Sequence, residues 1–329
     1  MGPSILSLLL CFGPPGEPEF VEIVPAPAPE PAPAPEPALE SPEPSGPEPD
    51  WGPGPPLEPA PVVEHDPQPP DLHFHWEVDA PLLLGAGAVW LGTELSLDRL
   101  VPAAPRWTEA TAGELALRNA LTWRSPATAR HMSDALAFGL VPLFGLTLTL
   151  ADLGTTRQWR HLHEDLIITL EAVAVTAMLT QAIKLSSARG RPYTYEVFQD
   201  DSGQSLDRLL VYEPDAFLSF PSGHASLAFA FVAGFATVAT MRERRLAPYL
   251  WGFGTPLAGM VAYLRIAGHR HWFGDVVIGS TIGTVVGAGL PLLLHHPRFG
   301  ALSRLSARKQ RVQLSVAPSG SSVAVIGRF

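Results

Sequence analysis

Apolar residues gather into six stretches along the second three-quarters of the chain, at roughly 81–92, 135–150, 166–185, 225–241, 249–264 and 276–294. A membrane-spanning helix needs about 20 mainly apolar residues. The third and sixth stretches meet that length comfortably, and the second, fourth and fifth come near it. The first, PLLLGAGAVWLG, is short and reads either as a span or as an interfacial helix. VVIGSTIGTVVGAGLPLLL carries no charge in 19 residues, which favours a crossing over a buried helix of a soluble bundle. The expected fold is an all-α membrane helical bundle of five or six spans, over residues 80–295.

Ahead of it lies a very different segment. Residues 1–79 hold 15 Asp or Glu, no Lys or Arg, and 23 of the 36 prolines. PAPAPEPAPAPEPALESPEPSGPEPD has too few apolar side chains to offset chain entropy, so residues 21–79 read as a disordered, acidic, proline-rich tether. SILSLLL, before Cys11, is a candidate signal-peptide core within residues 1–20. Cys11 is the single cysteine, so an internal disulfide and a cysteine-built metal site are excluded.

Charge placement gives an orientation. MRERRLAP between the fourth and fifth stretches, RQWRH between the second and third, and the acid-free 296–329 tail fall on one face if each intervening stretch spans. Short basic flanks favour the cytoplasm. Five arginines between the first two stretches, on the other face, oppose that signal without reversing it. The loops at 186–223 and 265–275 are then external.

Those loops carry the chemistry. The third stretch ends in KLSSARGRP, the fourth follows FPSGH, and LRIAGHRHWFGD joins the fifth and sixth. An even number of crossings separates the clusters, so Lys184, Arg191, Ser222, Gly223, His224, Arg265, His271 and Asp275 can converge. Ser222 could simply N-cap the following helix, but capping needs no imidazole. Two guanidinium forks and an ammonium suit a tetrahedral oxyanion, and amides at a helix start add donors. A carboxylate four residues after His271 can hold one ring nitrogen and leave the other free as a nucleophile. His224 remains to protonate a leaving oxygen.

K-x6-R-P, P-S-G-H and R-x5-H-x3-D, in this order, resemble the signature of the type 2 phosphatidic acid phosphatase and vanadium haloperoxidase superfamily, over roughly residues 130–295. The resemblance implies that Lys184, Arg191, Ser222, Gly223 and Arg265 bind phosphate. It implies that His224 is the general acid, His271 the nucleophile and Asp275 its orienting partner. Where the family usually has Ser before the third arginine, this chain has Leu264. The K-x6-R-P spacing selects Arg191 rather than Arg189. The expected activity is a membrane phosphatase acting on a lipid phosphate or prenyl diphosphate through a phosphohistidine, at the periplasmic face of a bacterial inner membrane. No cofactor, metal or nucleic acid is expected. A vanadate-dependent haloperoxidase and a soluble exported acid phosphatase are the alternatives.

Other polar residues carry weaker expectations. HFH at 73–75 and HLH at 161–163 read as surface or interfacial, lacking the extra ligand a closed metal site needs. Glu171 and Gln181, inside the third stretch, should pair with neighbouring helices. Trp90, Trp251 and Trp272 fit an interfacial belt or simple packing.

Overall fold

The computed structural model describes residues 70–195, 215–303, 313–319 and 322–328. The signal-peptide and tether expectations for residues 1–69, and most of the 193–220 loop, lie outside the described residues. Among the described residues nine α-helices form the body: α1 Trp76–Leu95, α2 Leu97–Leu100, α3 Ala112–Leu121, α4 Pro126–Ala135, α5 Val141–Thr156, α6 Leu162–Ser187, α7 Gly223–Met241, α8 Ala247–Ala267 and α9 Phe273–His295. In the tail, Gln313–Ser319 and Ser322–Arg328 pair as an antiparallel hairpin, with Gln313 opposite Arg328.

Four helical units are long and apolar enough to cross a membrane: Pro126–Thr156, Trp159–Ser187, Gly223–Met241 and Phe273–His295. Among the described residues these four meet the length and apolarity of a crossing, in keeping with the expected helical membrane bundle. α8 accompanies them but carries Pro256 and ends in Arg265. α1 runs beside α6, with Glu94 accepting from Gln181 at 3.2 Å. It starts earlier than the apolar stretch suggests, and Leu72, His75 and Asp79, all within the expected tether, are buried.

The first crossing unit is interrupted by a π-turn, Leu136–Leu140, between α4 and α5. Pro142 explains it, since it has no N–H to donate to Phe138 four residues back. α7 is the central helix. Its Ala-rich surface meets α5, α6, α8 and α9, and Ala228, Ala230, Ala233 and Ala236 are essentially inaccessible.

α9 lies against α7 along a stripe of glycines four residues apart. A Cβ at Gly279 would sit 2.6 Å from the Ser222 carbonyl oxygen, one at Gly283 2.2 Å from that of Ser226, and one at Gly287 2.8 Å from Ala230 Cα. Small residues at this spacing let two helix backbones approach closely. The first of those contacts lies at the residue that precedes α7, so helix packing fixes the separation of the Pro-Ser-Gly-His turn from the start of α9.

Gly283→Ala should therefore lower the thermal midpoint in detergent, by the about 1–3 kcal/mol typical of overpacking. Gly289→Ala, with nothing within 4 Å of the new Cβ, should leave it unchanged. Equal midpoints for the two variants would show that the glycine stripe does not set the α7–α9 distance.

Candidate active site

The end of α6, the start of α7, the end of α8 and the start of α9 meet at one end of the bundle. Lys184 stands in the last turn of α6. The chain then reverses through Ala188, at φ 44°, into Arg189, Gly190 and Arg191. Arg191 is held by its surroundings: its guanidinium donates to the Asp215 carbonyl at 2.9 Å, to Asp215 Oδ2 at 2.5 Å and to the Arg270 carbonyl at 3.2 Å. Gly223 opens α7, and a Cβ there would lie 3.0 Å from Lys184 Nζ.

Ser222 precedes α7, and its backbone N–H donates to the Asp275 carbonyl at 2.9 Å. Its hydroxyl makes no cap bond. The oxygen is buried without any hydrogen-bond partner among the described residues, so capping does not explain it.

His271 lies in the turn between α8 and α9. Nδ1 is 2.6 Å from the Ser219 carbonyl oxygen. A carbonyl can only accept, so Nδ1 carries the proton and Nε2 keeps its lone pair. Burial, followed by the cations of Arg191, Arg265 and Lys184, holds the imidazole well below its ordinary value of 6.5. The neutral ring is the form present near neutral pH.

Asp275 does not hold His271 directly. Its Oδ2 is 3.8 Å from Nδ1, beyond hydrogen-bond reach. The carboxylate instead accepts from Ser219 Oγ at 2.5 Å and Trp272 N at 2.9 Å, the residues that position the ring's carbonyl partner and its own backbone. The other oxygen accepts from Arg189 Nη1 at 2.6 Å.

Arg189, which the motif spacing sets aside, is thus a keystone. Its second arm reaches both Glu114 oxygens at 3.0 and 2.9 Å, and its guanidinium lies 3.8 Å over the Trp107 ring. Glu114 is also the N3 residue of the Thr111 capping box of α3. That box, T-x-x-E, is legible in sequence, but nothing local ties it to an arginine 75 residues away.

Asp134 is the residue that sequence reading missed most completely. His224 Nε2 lies 2.8 Å from Asp134 Oδ1, and Arg265 Nη1 donates to the same oxygen at 3.1 Å. Phe138, from the π-turn, packs edge-on against the His224 ring at 4.8 Å. A lone acid one turn ahead of an apolar run gives no motif to find. Other expectations also shift. Trp272 is buried and donates to the Gly190 carbonyl at 3.0 Å, so it is packing rather than belt. His75 and His161 are buried rather than at the surface.

Residues 165–297 match the family model described as the PAP2 superfamily. Over this segment the chain is similar to that superfamily. The PAP2 match contains all eight residues singled out by the motifs, while Asp134 and Glu114 lie ahead of it. Lipid phosphate phosphatase 1 of Arabidopsis thaliana is 28% identical over 171 residues, covering 46% of this chain and 52% of that protein. The chain thus spans about half the length of the curated relative it matches. No solved structure matches.

Removing one partner of a buried ion pair costs about 3–5 kcal/mol because the other charge is stranded. Arg189→Met should therefore destabilise the protein on that scale in thermal denaturation, whereas the paired change Arg189→Met with Asp275→Asn should recover part of the loss. No recovery in the double variant would mean that Arg189 acts independently of Asp275.

Proposed function

We propose that the protein is a membrane phosphatase that hydrolyses a lipid phosphate or prenyl diphosphate through a phosphohistidine on His271. The observation that carries this reading is the His271 environment: a neutral ring with its Nδ1 proton committed to Ser219, and three cations of the gathered motifs acting on it. The PAP2 match and the likeness to a lipid phosphate phosphatase support the reaction class.

In this mechanism Lys184, Arg191 and Arg265 bind the phosphoryl oxygens, together with the Ser222 hydroxyl and the amides at the start of α7. The Nε2 lone pair of His271 attacks phosphorus as the ester P–O bond breaks. His224 gives its proton to the departing oxygen. His224 then takes a proton from water, the resulting hydroxide attacks phosphorus, and the P–N bond breaks. Inorganic phosphate and neutral His271 are released. Asp134 orients His224 through Nε2 in the resting site, and Asp275 acts on His271 through Ser219 and Trp272.

The four apolar helical units support a site at a membrane, where a phosphate on a long apolar tail would be presented. By the basic flanks, the site faces the periplasm or cell exterior. A maleimide that cannot cross membranes should label Glu109→Cys, in a Cys11→Ser background, on intact spheroplasts, and Ser306→Cys only after lysis. The reverse pattern would invert the orientation.

His271→Ala should abolish turnover of phosphatidate and prenyl diphosphates in detergent micelles. His224→Ala should spare only substrates with good leaving groups. Retention of more than about a tenth of wild-type activity by His271→Ala corresponds to under ~1.4 kcal/mol, too little for a nucleophile, and would refute the mechanism.

The pH dependence has a defined sign. A His held below 6.5 stays neutral as pH falls through that value, so protonation of His271 contributes an acid limb to kcat/KM only at lower pH. An essential group of kcat/KM that protonates near 6.5, and disappears from the residual rate of His271→Ala, would contradict the assignment. Vanadate, which takes the five-coordinate geometry of the transferring phosphoryl group, should inhibit far more tightly than phosphate.

A further inference from the structure

A second constellation lies deep in the bundle, away from the phosphate site. One donor atom each from Asp79 of α1, Glu171 of α6 and His295 of α9 lie within 4.8 Å of one another, and all three side chains are inaccessible to solvent. Glu171 and Lys184 are 13 positions apart on α6, which puts the cluster about 20 Å along the helix from the phosphate end.

Its hydrogen bonding does not close. His295 Nδ1 is 2.7 Å from the His73 carbonyl oxygen, so Nδ1 must donate. In the neutral ring Nε2 is then an acceptor, yet it faces Glu171 Oε2 at 3.1 Å. Two acceptors do not bond unless something positive lies between them. Asp79 Oδ2 takes the His75 backbone N–H at 2.7 Å. Its other oxygen, Oδ1, and Glu171 Oε1 are buried without any hydrogen-bond partner among the described residues.

Charge leads the same way. The charged groups acting on Glu171 are His295 and Asp79, and those acting most strongly on Asp79 are His295, His75 and Glu77. None is a lysine or arginine. Two ionised carboxylates beside a neutral imidazole carry two negative charges in a dry interior, where uncompensated charge is very costly. A divalent cation cancels both.

We propose that Asp79, Glu171 and His295 form a three-ligand site for a divalent transition metal, with zinc as the leading candidate and a fourth position left open. One imidazole nitrogen and two carboxylates are a borderline-hard donor set that suits zinc. Tetrahedral zinc would set the donors about 3.4 Å apart, close to the 3.1 Å that already separates His295 Nε2 from Glu171 Oε2. The backbone carbonyl on Nδ1 is the outer partner that metal-bound histidines usually have. The metal would tie α1, and with it the 70–79 segment, to the two helices that carry Lys184 and Asp275 at their other ends.

The test uses full-length protein purified in detergent. Elemental analysis should find about one zinc per chain, as a single three-ligand site requires. Stripping with a chelator should lower the thermal midpoint, and added zinc should restore it. Cobalt(II) added to stripped protein should give the visible ligand-field bands of a low-symmetry protein site. Glu171→Gln and Asp79→Asn should each weaken metal binding by at least about tenfold. His271→Ala should lose turnover and keep the metal, so this inference and the phosphatase reading fail separately. If these variants do not fold, the wild-type titration still decides. Stripped protein that binds neither zinc nor cobalt, and whose midpoint ignores both, would overturn the proposal and leave a shared proton holding the cluster. Metal retained in full by both carboxylate variants would equally overturn it.

Discussion

The carboxylate of Asp275 is the constraint on which the candidate site depends. It sits at the third position of α9, fully buried, and draws together three loops that share no sequence proximity. Arg189 brings the segment after α6, Ser219 brings the turn before α7, and Trp272 closes the start of α9. The residue's own backbone carbonyl takes the Ser222 amide. Such a buried charge is tolerable because each oxygen is met by donors and one donor is a full cation. It follows that the His271 ring is oriented at second hand. The carbonyl of Ser219 meets the ring, and Asp275 fixes Ser219.

Helix packing supplies the rest of the geometry. The glycine stripe of α9 brings its backbone onto α7, so the turn that carries Ser222 and His224 is held at a separation set by backbone contact. A separation fixed by flexible side chains would drift by more than the sub-ångström tolerance that positioned chemistry requires.

Much of this was legible in the chain. The length and period of the apolar stretches indicate a helical bundle, and the alternation of helix direction places three motifs at one end. The partners were not legible, for definite physical reasons. Asp134, Glu114 and Ser219 act through contacts between residues 52 or more positions apart, and no local period records such a contact. Arg242 and Arg244 show the same limit. Counted along the chain they are a topology signal, yet in the fold both are buried against Asp165, with Glu164 also on Arg242 and Asp152 beside Arg244. These two members of the flank thus also tie α7 and the link after it to α5 and α6, a role that their order in the chain does not show. Glu94, near the end of α1, likewise accepts from Gln181 of α6, a contact between residues 87 positions apart that no local pattern records.

The same accounting bears on how a cationic pocket persists before any anion arrives. Three cations in a low-dielectric site repel one another, and each would be expensive alone. Two carboxylates relieve this, Asp215 at Arg191 and Asp134 at Arg265 and His224. Asp134 and Asp215 are also the most exposed members of these pairs, with side chains 49% and 41% accessible. Partial exposure makes a carboxylate easier to displace, because water can rehydrate it as it leaves. In the proposed reaction an incoming phosphate would take over the Arg265 fork from Asp134, and His224 would be released from Asp134 at the moment its proton is needed. On that reading the resting ion pairs would act as placeholders, holding the cations in position at the expense of some affinity for the anion.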